Sequence, residues 1–156
     1  MTIFLMGASF FLALILDSMP LAPMLDTLRP DFLMLLLIYW GMAAPAELGM
    51  TVAWVLGLLQ DAVSHSAIGA HALGAVVLLY ALQKGSQRFR GIPPWEQIVF
   101  VFALLFAERL IAWVWQGWSG SIALEPGLVL GPVAGALLWP PTAVLVDRIR
   151  RMRIPR

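Results

Sequence analysis

The chain has 156 residues, of which 61% are hydrophobic and only 12% are charged, a far more apolar composition than that of water-soluble domains. Such a chain cannot cover its core with polar side chains in water, so the composition predicts a lipid bilayer as the solvent. The chain contains no cysteine, which excludes a disulfide framework and a thiolate metal site.

Six apolar segments predict an all-α polytopic membrane protein that forms one integral domain. The segments are residues 3–19, 31–45, 48–64, 67–83, 97–118 and 128–147, and a basic tail follows at 148–156. The first segment has no Lys or Arg before its apolar run, and the sequence LDSMPLAPM after it is a poor small-residue cleavage site, so we expect a retained helix. Breaks between the second, third and fourth segments are weakly marked, and four or five spans with re-entrant pieces remain an alternative.

The distribution of charge predicts the orientation of these spans. Three basic residues lie within 84–90 and five lie within 148–156, which together are eight of the ten in the chain. Six spans with a cytoplasmic N-terminus place all eight inside, as the positive-inside rule requires. We therefore expect both termini in the cytoplasm. Because the basic tail follows an apolar segment directly, it predicts a membrane anchor rather than a nucleic-acid-binding segment.

The second segment opens with the sequence Arg29-Pro30-Asp31. Pro30 presets the backbone for a helix start, and Asp31 suits the positive end of the helix dipole. In the six-span topology Arg29 lies on the same outer side as Asp61, which is near the outer end of the third segment. We predict that Arg29 and Asp61 pair, directly or through Ser64 or water.

A polar stretch, LLQDAVSHSAIGAH, joins the third segment to the fourth. An aspartate that faced lipid would cost about 3 kcal/mol on insertion scales, so we expect Asp61 to face protein or water. Ser64 is predicted to be a local hydrogen-bonding partner, and Gly69 to permit the turn into the fourth segment.

The same stretch raises two chemical alternatives. Asp61, Ser64 and His71 have the residue types of a hydrolase triad, but no nucleophile elbow surrounds either serine, so we expect no catalytic residue. A metal site made of Asp61, His65 and His71 matches no standard ligand spacing. We therefore expect neither a metal nor a cofactor.

Glu108 and Arg109 lie in the middle of the fifth segment, where adjacent side chains diverge and do not neutralise each other. Each needs its own partner or a hydrated cavity. A structural ion pair to another helix, for instance between Asp17 and Arg109, and a transport role are the two alternatives.

Small residues recur every four positions in two segments and predict closely packed helix faces. These residues are Gly49, Ala53 and Gly57 in the third segment and Gly127, Gly131 and Gly135 in the sixth. Packing within the molecule and docking of a partner's helix both remain open.

Three stretches, RPDFLMLLLIYWGM, LGLLQDAVSHSAIGAHAL and LLWPPTAVLVDRIRR, resemble the MreD family of rod shape-determining inner-membrane proteins. The family pattern falls on Arg29, Pro30 and Asp31, on Leu59, Asp61, Ser64 and Gly69, and on Leu138, Trp139 and Pro140. His65 stands where the family often has glycine. The resemblance covers nearly the whole chain, and its motifs together with Glu108, Arg109 and His71 supply the candidate structural or partner-binding residues.

The resemblance implies a non-enzymatic scaffold of the rod complex in the bacterial inner membrane. Such a scaffold binds MreC and helps control cell shape and peptidoglycan synthesis. Its further implied partners are a RodA-type glycosyltransferase, a class B penicillin-binding transpeptidase, MreB filaments and membrane lipids. The resemblance also implies a fold similar to the substrate-binding subunits of energy-coupling-factor transporters. The alternative function is accordingly a vitamin- or lipid-binding transporter subunit, with Asp61, Ser64 and His71 lining an outer pocket.

Overall fold

A computed structural model of the chain describes residues 2–20, 22, 27–89, 93–118 and 127–153. These ranges contain six helices and no strand, which confirms the predicted all-α class for the described residues. The helices are α1 (Thr2–Ser18), α2 (Phe32–Ala43), α3 (Met50–Ser64), α4 (Ala70–Phe89), α5 (Pro94–Trp118) and α6 (Gly127–Arg153). The fourth and sixth helices extend further toward the C-terminus than the apolar segments that predict them.

Two of the helices, in Trp95–Trp118 of α5 and Gly127–Arg151 of α6, are long and apolar enough to cross a membrane. Helices α1, α2 and α3 are apolar but shorter. Large apolar side chains remain exposed on the outside of the bundle, for example Phe4 on α1 and Leu137 on α6. An exposed apolar surface of this kind is typical of a molecule surrounded by lipid.

Helix α2 is the centre of the bundle. It contacts all five other described helices, and residues 33–41 within it are buried. A helix that is apolar on every side is stable only when other elements surround it, which explains why the sequence of α2 has no polar face. The remaining contacts join neighbours along the chain, α3 with α4, α4 with α5 and α5 with α6, and also join α1 with α3.

The contacts of α2 show that α1 begins, and α6 ends, at the same end of the bundle. Asp17 near the end of α1 accepts from the first amides of α2, and Trp40 near the end of α2 donates to Ser9 in the middle of α1 at 2.9 Å, so α1 and α2 run antiparallel. Arg150 near the end of α6 donates to the Ala43 carbonyl at 3.5 Å. We call this side, which carries Lys84, Arg148, Arg150 and Arg151, the basic end. The opposite side, which carries Asp17, Asp31 and Asp61, is called the acidic end.

The glycines of both predicted small-residue faces lie mostly against other parts of the same chain. A Cβ atom on Gly57 would lie 2.7 Å from the His71 carbonyl oxygen, so α3 and α4 approach closely at that point. A Cβ on Gly131 would lie 3.1 Å from the Arg29 carbonyl oxygen, and one on Gly135 would lie 2.7 Å from the Leu105 side chain. Gly49, in contrast, is exposed, and a Cβ there would meet nothing within 4 Å.

Candidate functional site

Two carboxylates accept hydrogen bonds from the backbone N–H groups in the first turn of the central helix, α2. Asp31 is the N-cap residue of α2, as the sequence predicts, and its Oδ1 accepts from the Met34 amide at 3.0 Å. The carboxylate of Asp17, from the end of α1, accepts from the Phe32 and Leu33 amides at 3.3 and 3.1 Å. Negative charge at a helix N-terminus is favourable because it pairs with unbonded N–H groups and with the helix dipole.

The second oxygen of Asp31 belongs to a set of polar side chains contributed by different helices. Its Oδ2 accepts from Nε2 of Gln60 on α3 at 2.6 Å. Nδ1 of His71 on α4 lies 2.8 Å from Oε1 of Glu108 on α5. One potential ligand atom from each of Asp31, His71 and Glu108 lies within 4.8 Å of the other two. We call Asp31, Gln60, His71 and Glu108 the polar cluster.

The polar cluster lies inside the bundle. Gln60 is 6% exposed, His71 is 3% exposed and Glu108 is 2% exposed, while Asp31 is partly buried. Gly74 on α4 makes room for the Glu108 side chain, because a Cβ at Gly74 would lie 2.9 Å from Cγ of Glu108. Buried ionisable groups are stable only when they are paired and hydrogen-bonded, so the mutual contacts of the cluster are a condition of this fold.

Asp61, near the end of α3, connects this helix to the start of α4 through hydrogen bonds. Its carboxylate accepts from Ser66 Oγ at 2.8 Å, from the Gly69 amide at 2.7 Å and from the His71 amide at 2.9 Å. Hydrogen bonds to an ionised acceptor are stronger than neutral ones. Asp61 thus caps the N-terminus of α4, and through the His71 backbone it fixes one member of the polar cluster.

The turn between these helices uses two residues with positive φ. His65 is the C-cap of α3 at φ 54° and Gly69 has φ 95°. Left-handed backbone conformations favour glycine, so a histidine at position 65 is an uncommon choice for this turn. The predicted role of Gly69 in the turn agrees with its conformation.

The predicted direct pairing of Arg29 with Asp61 is wrong for the described part of the chain. Nη2 of Arg29 instead donates to the carbonyl oxygens of Leu16 and Met19, at 2.5 and 2.7 Å. These carbonyls end α1, where the negative end of the helix dipole attracts a guanidinium group. The predicted topology placed Arg29 and Asp61 on one side of the membrane, but it could not identify the partner of Arg29. The carbonyl oxygens at the end of α1 bind the guanidinium group instead.

The suggested ion pair between Asp17 and Arg109 is likewise wrong among the described residues. Asp17 accepts from the first amides of α2. Arg109 points toward α6, since a Cβ on Gly131 would lie 3.1 Å from its Nη2. Glu108 and Arg109 diverge, as the helical spacing predicts, and Glu108 enters the polar cluster.

The residues of the two chemical alternatives, the hydrolase triad and the metal site of Asp61, His65 and His71, do not come together in the structure. Ser64 Oγ donates to the Gln60 carbonyl of its own helix at 2.7 Å, and the His71 ring contacts Glu108 rather than a serine. His65 is exposed and lies outside the polar cluster. Sequence reasoning missed the grouping of Asp31 and Gln60 with His71 and Glu108, although each is a polar residue next to or within an apolar segment.

Trp139 and Pro140 lie away from the polar cluster, toward the basic end. Trp139 is buried, and its Nε1 donates to Oε1 of Gln97 near the start of α5 at 3.3 Å. Pro140 stands within α6, which continues through it. Thr142 Oγ1 donates to the Leu138 carbonyl at 2.7 Å in the same turn, a bond to the carbonyl four residues earlier that Ser and Thr side chains often form within helices. The candidate residues therefore belong to two regions.

An apolar helical bundle with its charged groups turned inward is characteristic of a helical membrane protein. Residues 1–149 match the family model for rod shape-determining protein MreD. The chain belongs to the MreD family, a family of membrane proteins with a role in cell shape.

A curated relative gives the same assignment. The rod shape-determining protein MreD of Haemophilus influenzae is 30% identical to this chain over 142 residues, which cover 91% of this chain and 88% of the relative. No solved structure matches the chain.

Proposed function

We propose that this protein is a non-enzymatic scaffold of the rod complex that crosses the bacterial inner membrane six times. In this proposal it binds the single membrane helix of MreC and so helps control peptidoglycan synthesis by the partner synthase. The observation that carries the proposal is the match to the MreD family over residues 1–149. The same complex contains a RodA-type glycosyltransferase, a class B penicillin-binding transpeptidase and MreB filaments.

The charge distribution supports an orientation for this scaffold. The start of α1 and the end of α6 lie at the basic end, which carries Lys84, Arg148, Arg150 and Arg151. The positive-inside rule assigns that end to the cytoplasm. There it can contact anionic lipid, at about 1 kcal/mol per basic residue near the surface, or MreB filaments.

The burial of the polar cluster favours a scaffold over a transporter subunit. A vitamin-binding subunit needs an accessible pocket at its outer face. His71 and Glu108 are almost fully buried, and the carboxylate of Asp61 already accepts three hydrogen bonds within the chain. A small molecule would reach these groups only after the helices had moved apart.

The outer face of α1 is the docking surface that we propose for MreC. The main contacts of α1 are with α2 and α3, and the side chains of Phe4 and Phe11 on its other side are exposed. Gly7 lies on the exposed side, and a Cβ there would meet nothing within 4 Å. An exposed glycine lets the backbone of a partner helix approach closely, which favours helix association in lipid.

Replacing Gly7 with leucine tests this surface without disturbing the internal packing of the molecule. We expect Gly7→Leu to reduce co-purification of co-expressed MreC at least severalfold, because the added side chain separates the two helix backbones. Ala107→Leu, which enlarges an exposed alanine on α5, is the matched control and should leave capture unchanged. Equal capture by Gly7→Leu and the wild type, with equal amounts in the membrane, would exclude α1 as the docking face.

A further inference from the structure

The polar cluster contains the ligand types of a transition-metal site. It combines the carboxylate of Asp31 at the N-cap of α2, the imidazole of His71 on α4 and the carboxylate of Glu108 on α5. A ligand atom of each lies within 4.8 Å of the other two. An ion held at roughly 2.1 Å by each ligand places neighbouring ligand atoms about 3 to 4 Å apart. Small side-chain rotations are therefore enough to bring all three groups onto one ion.

The amide of Gln60 is a second, independent sign of a ligand. Gln60 is 6% exposed, and its Nε2 touches the cluster at Asp31 Oδ2. Its Oε1 is buried and has no hydrogen-bond partner within the described residues. A buried amide oxygen without a partner is costly. A half-turn of the amide about its last torsion exchanges the positions of Oε1 and Nε2 and directs the oxygen into the cluster.

The charge balance of the cluster also favours a cation. Within the described ranges, neither Asp31 nor Glu108 forms an ion pair with an arginine or lysine. His71 is the group that faces Glu108, and Gln60 is the side chain that faces Oδ2 of Asp31. Arg109, next to Glu108 on α5, is close enough to interact electrostatically with Glu108 but forms no ion pair with it in these ranges. A bound divalent ion supplies a counter-charge in direct contact with both carboxylates.

We propose that Asp31, His71 and Glu108, with the amide oxygen of Gln60, bind one divalent transition-metal ion. A ligand set of one imidazole and several oxygens suits Zn²⁺ or Mn²⁺ better than the all-oxygen preference of Ca²⁺ and Mg²⁺. The ion joins the start of α2 to α3, α4 and α5 and so clamps the acidic end of the bundle. This inference is independent of the binding of MreC.

The test uses the full chain, purified in detergent without a histidine tag, stripped with a chelator and titrated calorimetrically with ZnCl₂. We expect saturable binding of one equivalent. Glu108→Gln keeps the size of the side chain but removes its charge, and we expect it to weaken binding at least about tenfold. His65→Asn is the matched control, because the chain has only two histidines and His65 is exposed at a left-handed position that asparagine tolerates.

The outcomes separate a built site from an adventitious ion. Absence of saturable binding in the wild type overturns the proposal, and so does equal affinity of Glu108→Gln and wild type. A loss in His65→Asn as large as that in Glu108→Gln shows adventitious binding only and also overturns it. If Glu108→Gln does not fold, X-ray absorption of the zinc-loaded wild type decides. One imidazole among oxygen ligands supports the site, and two imidazoles contradict it.

Discussion

At the scale of single residues, carboxylates at the acidic end act mainly as acceptors for the starts of helices. Asp17 and Asp31 satisfy the first amides of α2, and Asp61 satisfies the first amides of α4. Water is not available to accept hydrogen bonds from these amides in an apolar interior, so carboxylates of the chain accept them instead. The aspartates thus connect consecutive helices: α1 with α2, and α3 with α4.

Removal of the Asp61 carboxylate should therefore destabilise the bundle. Asp61→Ala leaves the Gly69 and His71 amides without their acceptor, and we expect a loss of about 3 kcal/mol in the free energy of unfolding. Thermal unfolding in detergent, followed by circular dichroism, measures the effect. Ser64→Ala should change stability by less than about 0.5 kcal/mol, since Ser64 Oγ bonds a carbonyl already used by its own helix. Equal midpoints for Asp61→Ala and wild type would contradict this role.

The sequence predicts the inward orientation of these residues better than it predicts their partners. The cost of a charge in lipid is enough to turn Asp61 toward protein, and helical spacing is enough to separate Glu108 from Arg109. The partner of Arg29 depends on where the last carbonyls of α1 lie, which no spacing in the sequence encodes. The polar cluster was missed for the same reason, since Asp31 and Gln60 meet only after α2 and α3 have packed.

At the scale of helices, the close approach of α3 and α4 positions the polar cluster. Gly57 faces the His71 backbone so closely that any Cβ there would collide with it. The contact occurs within one turn of Gln60 and directly beside His71, so the separation of α3 from α4 sets the width of the cluster. A glycine at this position is therefore part of the site as well as of the packing.

Substitution of this glycine should be far more costly than substitution of an exposed one. We expect Gly57→Ala to reduce the free energy of unfolding by about 1–3 kcal/mol, because backbone atoms rather than flexible side chains meet the new methyl group. Gly7→Ala, also within a helix but with open space around its Cβ, should be neutral or stabilising by up to about 1 kcal/mol. The ratio of the two effects, measured by thermal unfolding, checks the α3–α4 contact. Similar behaviour of the two variants would refute it.

Helix boundaries show where hydropathy is an incomplete guide. The end of α2 at Ala43 is readable from the sequence, because Pro45 disfavours a helical conformation at Ala44. Helices α4 and α6 continue to Phe89 and Arg153, into basic stretches at which the apolar segments stop. Backbone hydrogen bonding does not depend on side-chain polarity, so a helix can leave the apolar region and continue in water.

At the scale of the whole molecule, the charge pattern and the packing agree. The positive-inside rule requires an even number of spans, and the contacts of α2 place the start of α1 and the end of α6 at one end. Six helices in the described residues satisfy both. The six-span topology with cytoplasmic termini and the similarity to energy-coupling-factor subunits remain predictions.

Cysteine labelling in intact spheroplasts tests the orientation, since the native chain has no cysteine and is its own blank. Ile68, between α3 and α4, is 81% exposed at the acidic end, and Glu47, between α2 and α3, is exposed near the basic end. We expect a membrane-impermeant maleimide to label Ile68→Cys in intact spheroplasts and Glu47→Cys only after lysis. The reverse pattern would invert the topology, and labelling of both from outside would exclude a crossing by α3.

The shortness of the central helix has a consequence for the surrounding bilayer. The 12 residues of α2 rise about 18 Å, whereas the hydrocarbon layer is about 30 Å thick. Such hydrophobic mismatch would tilt or thin the membrane around a helix in contact with lipid. Helix α2 is enclosed by the other described helices, so protein rather than lipid surrounds it. Its first amides are bonded by Asp17 and Asp31 and not by headgroups or water. We therefore expect a change in bilayer thickness to act on the outer helices and to leave α2 unaffected.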